Sequence, residues 1–131
     1  MRHVIVLLLG LFLGFVAALS LANALQRRHA WLRGTMHVLE HDLRGAREAT
    51  RANACAAPAA LPQVAQRMRL VAEQLRPALL PEGTHDRVLA QYVSQLQDEL
   101  GQWDPTAACP VQAEALTRIG HACDACHRDY R

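Results

Sequence analysis

The chain closes on HACDACHRDYR, residues 121–131, where Cys123 and Cys126 stand three apart and His127 follows at once. Thiolates are strong nucleophiles, and imidazole is a common axial ligand for haem iron. On a helix, residues i and i+3 share a face and i+4 is their neighbour. Two thiols so spaced match the two vinyl groups of a haem, with an imidazole alongside to take the iron from one side. The order Cys-x-x-Cys-His therefore points to covalent attachment of one haem c on Cys123 and Cys126, with His127 as proximal iron ligand.

Three other readings compete with it. Zinc could draw on Cys123, Cys126, His127 and His121, but tetrahedral zinc usually joins two distant ligand pairs, and one close pair exists here. A thioredoxin-like redox pair belongs at a helix start after a strand, whereas this pair closes a helix. The plainest alternative is two buried cysteines followed by an unrelated histidine.

The elements that must position these residues read as helices throughout. Leu25, Leu32, Met36, Leu39, Leu43 and Ala46 recur at helical spacing and predict a helix from Leu25 to about Ala52. The stretch NACAAPAALP breaks it. Leu61, Val64, Met68, Val71, Leu75 and Leu79 predict a second helix over about Leu61–Leu80, bent or ended by Pro77. LPEGT makes a turn, and Thr84 is placed to cap a third helix. That helix presents Val88, Leu89, Tyr92, Val93, Leu96, Leu100 and Trp103. DPTAACP is the next break, and Pro110 suits the first turn of a fourth helix. Leu116, Ile119, Cys123, Cys126 and Tyr130 share its inner face. No alternating strand pattern and no internal repeat is present.

Amphipathic helices on short connections favour an all-α, antiparallel four-helix bundle following an N-terminal apolar helix. In such a bundle the first and third loops lie at one end. Cys55 and Cys109 sit in those loops, so they are expected to pair as a disulfide in an oxidising compartment. The loop so closed is long enough to add roughly 4 kcal/mol.

The start of the chain, Val4 to Leu25, carries no charge and is long enough to cross a membrane, which takes about 20 apolar residues. Length favours a retained anchor over residues 1–25, contacting the membrane through residues 4–25. Ala22-Asn23-Ala24 offers a signal-peptidase site as the alternative, with a soluble periplasmic product after cleavage at Ala24. Arg27, Arg28 and Arg33 form a flank that the positive-inside rule keeps in the cytoplasm, which counts against an exported anchor. Gly10 and Gly14 make one GxxxG, a weak helix-packing pattern that ordinary glycines of an apolar segment also produce; a homodimer is among the expected partners. An uncut segment would run into the first bundle helix and bring the haem end to the membrane surface.

Composition excludes several classes. The chain has 131 residues and net charge +2, with 14 basic residues, all arginine. No basic run is interleaved with aromatics, so no nucleic-acid partner is expected. No Ser-His-Asp set, phosphate loop or carboxylate pair stands out, and no enzyme activity is expected. With 2 Trp, 2 Tyr and 2 Phe the chain is poor in the side chains that fill a core. A large apolar cofactor would supply that volume.

Residues 26–131 resemble a class II c-type cytochrome, the cytochrome c′ family. The resemblance lies in IGHACDACHRDYR at the C-terminus, including Tyr130 and Arg131, in LLPEGT as a turn between the second and third helices, and more loosely in RRHAWLRGTM on the first. It implies a four-helix haem domain whose sixth iron position is faced by a residue early in the first helix. A leucine there leaves iron open to nitric oxide or carbon monoxide, and a methionine makes it six-coordinate and suited to electron transfer. Matching Arg28 to the family's arginine puts Leu32 at the distal spot. Matching Arg33 instead brings up Met36 or His37. His29, His37 and His41 are expected in solvent and Met68 in the core. Arg28 and Arg131 are candidates for pairing with the haem propionates.

The function these readings imply is single-electron transfer on the periplasmic side of the cytoplasmic membrane, serving a membrane redox protein or complex. A gas-binding protein and a redox subunit of a larger membrane assembly are the alternatives.

Overall fold

Apolar residues at helical spacing, separated by breaks rich in Pro, Gly and Asn, produce an all-α protein with no strand among the described residues. The structure is a computed structural model that describes residues 2–55 and 60–130, the side chains of residues 2, 4, 25 and 27–29 excepted. Its helices are α1 (Arg2–Arg51), α2 (Ala60–Leu79), α3 (Arg87–Gln102) and α4 (Cys109–Asp129). Contacts divide the chain into two compact units, Met1–Gly34 and Thr35–Arg131.

In the first unit, Ile5–Ala24 is a 20-residue run long and apolar enough to be a membrane span or a signal sequence, and none of it is buried. Leu8, Phe12, Phe15 and Leu19 all stand exposed. Water disfavours such a surface by about 25 cal/mol for each Å² of apolar area. Ser20, the one hydroxyl in the run, donates to Val16 O at 2.8 Å and so satisfies its proton within the helix.

In the second unit, α1 contributes Leu39, Leu43 and Ala46 to the core. The helix ends where Asn53 turns left-handed, with φ at +56°. Ala54 N donates to Ala49 O and Asn53 N to Thr50 O, the pair of bonds that closes a Schellman end. Asparagine tolerates this conformation better than most residues with a Cβ. The break therefore begins at Asn53, ahead of the two prolines in NACAAPAALP. Pro58 lies outside the described residues, and Pro62 sits in the first turn of α2, where its missing N–H has no helical partner to lose.

Pro77 does not stop α2, which continues to Leu79. The turn that follows places Gly83 at φ +85°, a backbone region that favours glycine. Thr84 does not cap α3. Asp86 does, accepting from Leu89 N at 2.9 Å, while Thr84 N closes the turn onto Pro81 O. The carboxylate is the better cap because it also answers the positive end of the helix dipole.

Cross-helix bonds fix the directions. Arg69 reaches Leu100 O, Gln97 reaches Ala72 O and Arg76 reaches Ser94, so α2 and α3 run oppositely. Arg118 bonds Glu99 and Tyr92 bonds Asp129, so α3 and α4 do too. Arg47 bonds Leu116 O, and the Cys55–Cys109 bridge joins the end of α1 to the start of α4. Asp42 ties α1 to α2 through Arg67, with Nε and Nη2 each at 2.6 Å from a carboxylate oxygen.

The core seam on α2 is Leu61, Ala65, Met68, Ala72 and Leu75, facing Leu89, Val93, Leu96 and Leu100 of α3. Val64 and Val71, expected in that seam, are half-buried, and the alanines between them go deeper. Small residues at the contact let helix axes approach more closely. Val88 is exposed rather than inward. Trp103, Leu116 and Ile119 are among the most completely buried side chains.

Candidate functional site at the end of the last helix

α4 carries the chemistry on its last turns. Its register is set by the buried residues Leu116, Ile119, Gly120 and Ala122. Cys123 continues that face one turn past Gly120, and Cys126 follows one turn later. Both are half-buried and neither is paired in a disulfide. Burial pushes the Cys123 thiol up to about 11, assisted by the neighbouring charge of Asp124 and opposed by Arg47. Burial also raises Cys126, with Asp129 adding to the effect. Both groups are neutral thiols at pH 7 and lie partly within the bundle.

His127 is exposed, and it lines a shallow cleft with Asp124, Arg128 and Tyr130. Its imidazole is thus open to a ligand at the surface of the same helix that holds the thiols. Around it the helix end is tied down. Tyr130, the residue that ends α4, was expected on the inner face; it lies outside the helix and is 36% exposed. Its ring meets Tyr92 edge-on at 6.2 Å, and its hydroxyl donates to Asp86 at 2.8 Å. Tyr92 OH donates to Asp129 at 2.5 Å. The two tyrosine–aspartate bonds clasp the end of α4 to the start of α3. The Leu89 amide first and the Tyr130 hydroxyl second hold Asp86 below the usual carboxylate range. The Tyr130–Asp86 bond drives Tyr130 up to about 12.

No family model, no curated protein and no solved structure matches the chain.

The remaining expected residues fall as follows. Cys55 and Cys109 are bridged, with Cα atoms 5.6 Å apart; Cys55 lies in the turn after α1, and Cys109, expected in a loop, is the first residue of α4. Met36 is half-buried in the second unit, on the stripe that continues through Leu39 and Leu43. Leu32 lies in the first unit. The Arg28 side chain and the whole of Arg131 lie outside the described residues. His37 and His41 are exposed and Met68 is buried, as expected. Among the described residues no three His, Cys, Asp or Glu side chains gather closely enough to hold a metal ion by themselves.

A haem fits the donor set on chemical grounds. Two unpaired thiols stand on one face of α4 at partial burial, where an apolar macrocycle would shield them further. The imidazole that follows is accessible. The core beside them is lined by small residues, Gly120 and Ala122 on α4 among them.

The sequence reading missed Arg47, whose guanidinium lies against Gly120 and donates to Leu116 O at 3.2 Å. It also missed Asp86 as the cap. Both left a mark: a glycine inside a helix costs about 1 kcal/mol relative to alanine and asks for a reason. An Asp three residues before a buried leucine is a cap pattern.

Proposed function

We propose that the protein is a haem c carrier of single electrons, a cytochrome of the c′ type, tethered to or exported across the cytoplasmic membrane. The observation that carries this is the pair of half-buried, unbridged thiols on one face of α4 with His127 immediately after them. When bound, the haem supplies an iron that alternates between ferrous and ferric states. Cys123 and Cys126 would anchor it by thioether bonds, and His127 would ligate it from the exposed side. The tyrosine–aspartate clasp ties down the helix turn on which His127 stands, so it would hold the imidazole in place beside a bound haem. Little movement on reduction is what rapid electron transfer needs.

The N-terminal run suits this role, either as the anchor that keeps the haem domain beside a membrane redox partner or as the signal that exports it. Anchored display on the periplasmic side is the reading we favour, because attachment to a membrane raises the effective concentration of a membrane partner.

The test is expression of the full chain in a host that matures c-type cytochromes. A covalent haem resists extraction by acid acetone and adds one haem to the mass. Haem released by acid acetone, or a haem-free native chain, overturns the proposal. Carbon monoxide added to the reduced protein checks the role. An unchanged spectrum supports electron transfer, and a shifted Soret band moves the assignment to gas binding at an open iron.

A further inference from the structure

Gly120 sits in the interior of α4, where alanine would serve the helix better. A Cβ there would collide with the Arg47 guanidinium, lying 2.9 Å from Cζ and closer still to Nη2. The glycine thus makes room for an arginine that crosses from α1 to α4. Arg47 is half-buried, and its guanidinium can donate five hydrogen bonds. Among the described residues it makes one, to Leu116 O, and no carboxylate pairs with it. By contrast Arg44, Arg67, Arg118 and Arg128 each meet a carboxylate. A cation led inward without an anion is left with donors to spare. Leu116, Gly120 and Cys123 follow one another on one face of α4, so Arg47 stands one helical turn before the attachment thiol.

We propose that Arg47 is an internal cation of the cofactor site, admitted by Gly120, which holds a carboxylate of the group attached at Cys123 and raises its reduction potential. This rests on the haem reading above, haem being a macrocycle that carries two carboxylates. Arg47 is a positioning residue in this scheme and exchanges no electrons. A fixed positive charge favours the reduced centre, which carries one positive charge fewer. At about 10 Å and an effective dielectric near 20, one unit charge changes such an equilibrium roughly tenfold.

The experiment uses the full haem-bearing chain and three variants, R47M, R47K and G120A. G120A matters because it keeps the charge but evicts it from its slot, and because the atom it displaces is the far end of a flexible side chain. Midpoint potentials are measured by spectroelectrochemical titration, with resonance Raman spectra of the haem carboxylate bending modes. R47M and G120A are expected to lower the equilibrium constant for reduction about tenfold, which is 59 mV for one electron. R47K should retain most of the wild-type value, and the carboxylate modes should shift in R47M and G120A alone. If R47M does not fold, G120A still decides the matter. An equilibrium constant for reduction within about twofold of wild type in the folded variants, with unchanged carboxylate modes, overturns the role of Arg47 and leaves the haem reading intact. A chain that carries no covalent haem overturns both.

Discussion

Removing the Cys55–Cys109 bridge should cost this domain a large share of its stability. The bridge closes a loop with a sequence separation of 54. The chain-entropy relation gives about 14 cal/mol/K for a loop of that length, or about 4 kcal/mol at 25 °C. A small domain holds about 5–15 kcal/mol in all. The double variant C55S/C109S keeps both loops free of an unmatched thiol and is the right comparison. We expect its urea midpoint to fall by the equivalent of about 4 kcal/mol, with a somewhat larger m value because its unfolded chain is no longer cross-linked. The corresponding loss in Tm is on the order of 15–30 °C. A thiol count on the unfolded, unreduced, haem-bearing chain gives an independent reading. All four cysteines should be unreactive, two through the bridge and two through thioethers. A loss below about 1 kcal/mol would show that the unfolded chain gains little freedom when the bridge is absent. Reactive thiols at Cys55 and Cys109 would refute the bridge itself.

Three further outcomes are expected. Asp42 is 5% exposed and paired bidentately with Arg67, whose side chain is 52% exposed; because Arg67 can return to water, D42A should cost about 2 kcal/mol rather than the ~3–5 of a fully buried pair, and a urea midpoint that does not move would remove this link from the account of the bundle. Tyr130 is held up to about 12 by Asp86, so an absorbance titration should show a phenol ionising well above the usual value near 10, and D86N should return it there. The folded values set the sign on each side: the raised Tyr130 contributes stability that is present below its ordinary range and lost as pH rises toward 12, while the lowered Asp86 contributes stability present above the ordinary carboxylate range and lost as acid titrates it. N-terminal sequencing of the haem-bearing protein should find Met1 or Arg2 if Ile5–Ala24 is an anchor, and a chain starting at Leu25 would make it a signal sequence.

The helices were legible in the sequence because their apolar residues recur at 3.6-residue spacing over long stretches, as in Leu61 through Leu79. Their ends were less so. Thr84 is a good capping residue by type, yet Asp86 caps α3 because the turn through Gly83 delivers the chain two residues later. Ala65 and Ala72 escaped notice because alanine scores little on any hydrophobic stripe, although close helix packing favours it. The disulfide was legible because topology, rather than side-chain chemistry, brings its loops together. Arg47 was not, since a long cationic side chain near a helix end usually marks a solvated face. What turns it inward is a missing Cβ on another helix, far off in the sequence.

The same feature explains how so aromatic-poor a core can be built. Trp103 is the one aromatic ring among the buried hydrophobic residues described. The α2–α3 seam compensates by close approach over Ala65 and Ala72. Near the end of α4 the neighbour is polar instead: the Arg47 guanidinium lies against Gly120, where a Cβ would collide with it. A charged group is a poor filler for an apolar seam: it loses hydration and, here, meets one carbonyl oxygen in return. The site proposed above would give that cation a partner, since the attached group would bring its own negative charge. The thiols one and two turns further along the same face are where such a group would be fastened. Small side chains, an inward cation and two adjacent unpaired thiols are three separate observations that support the proposal of a covalently held acidic macrocycle on this face.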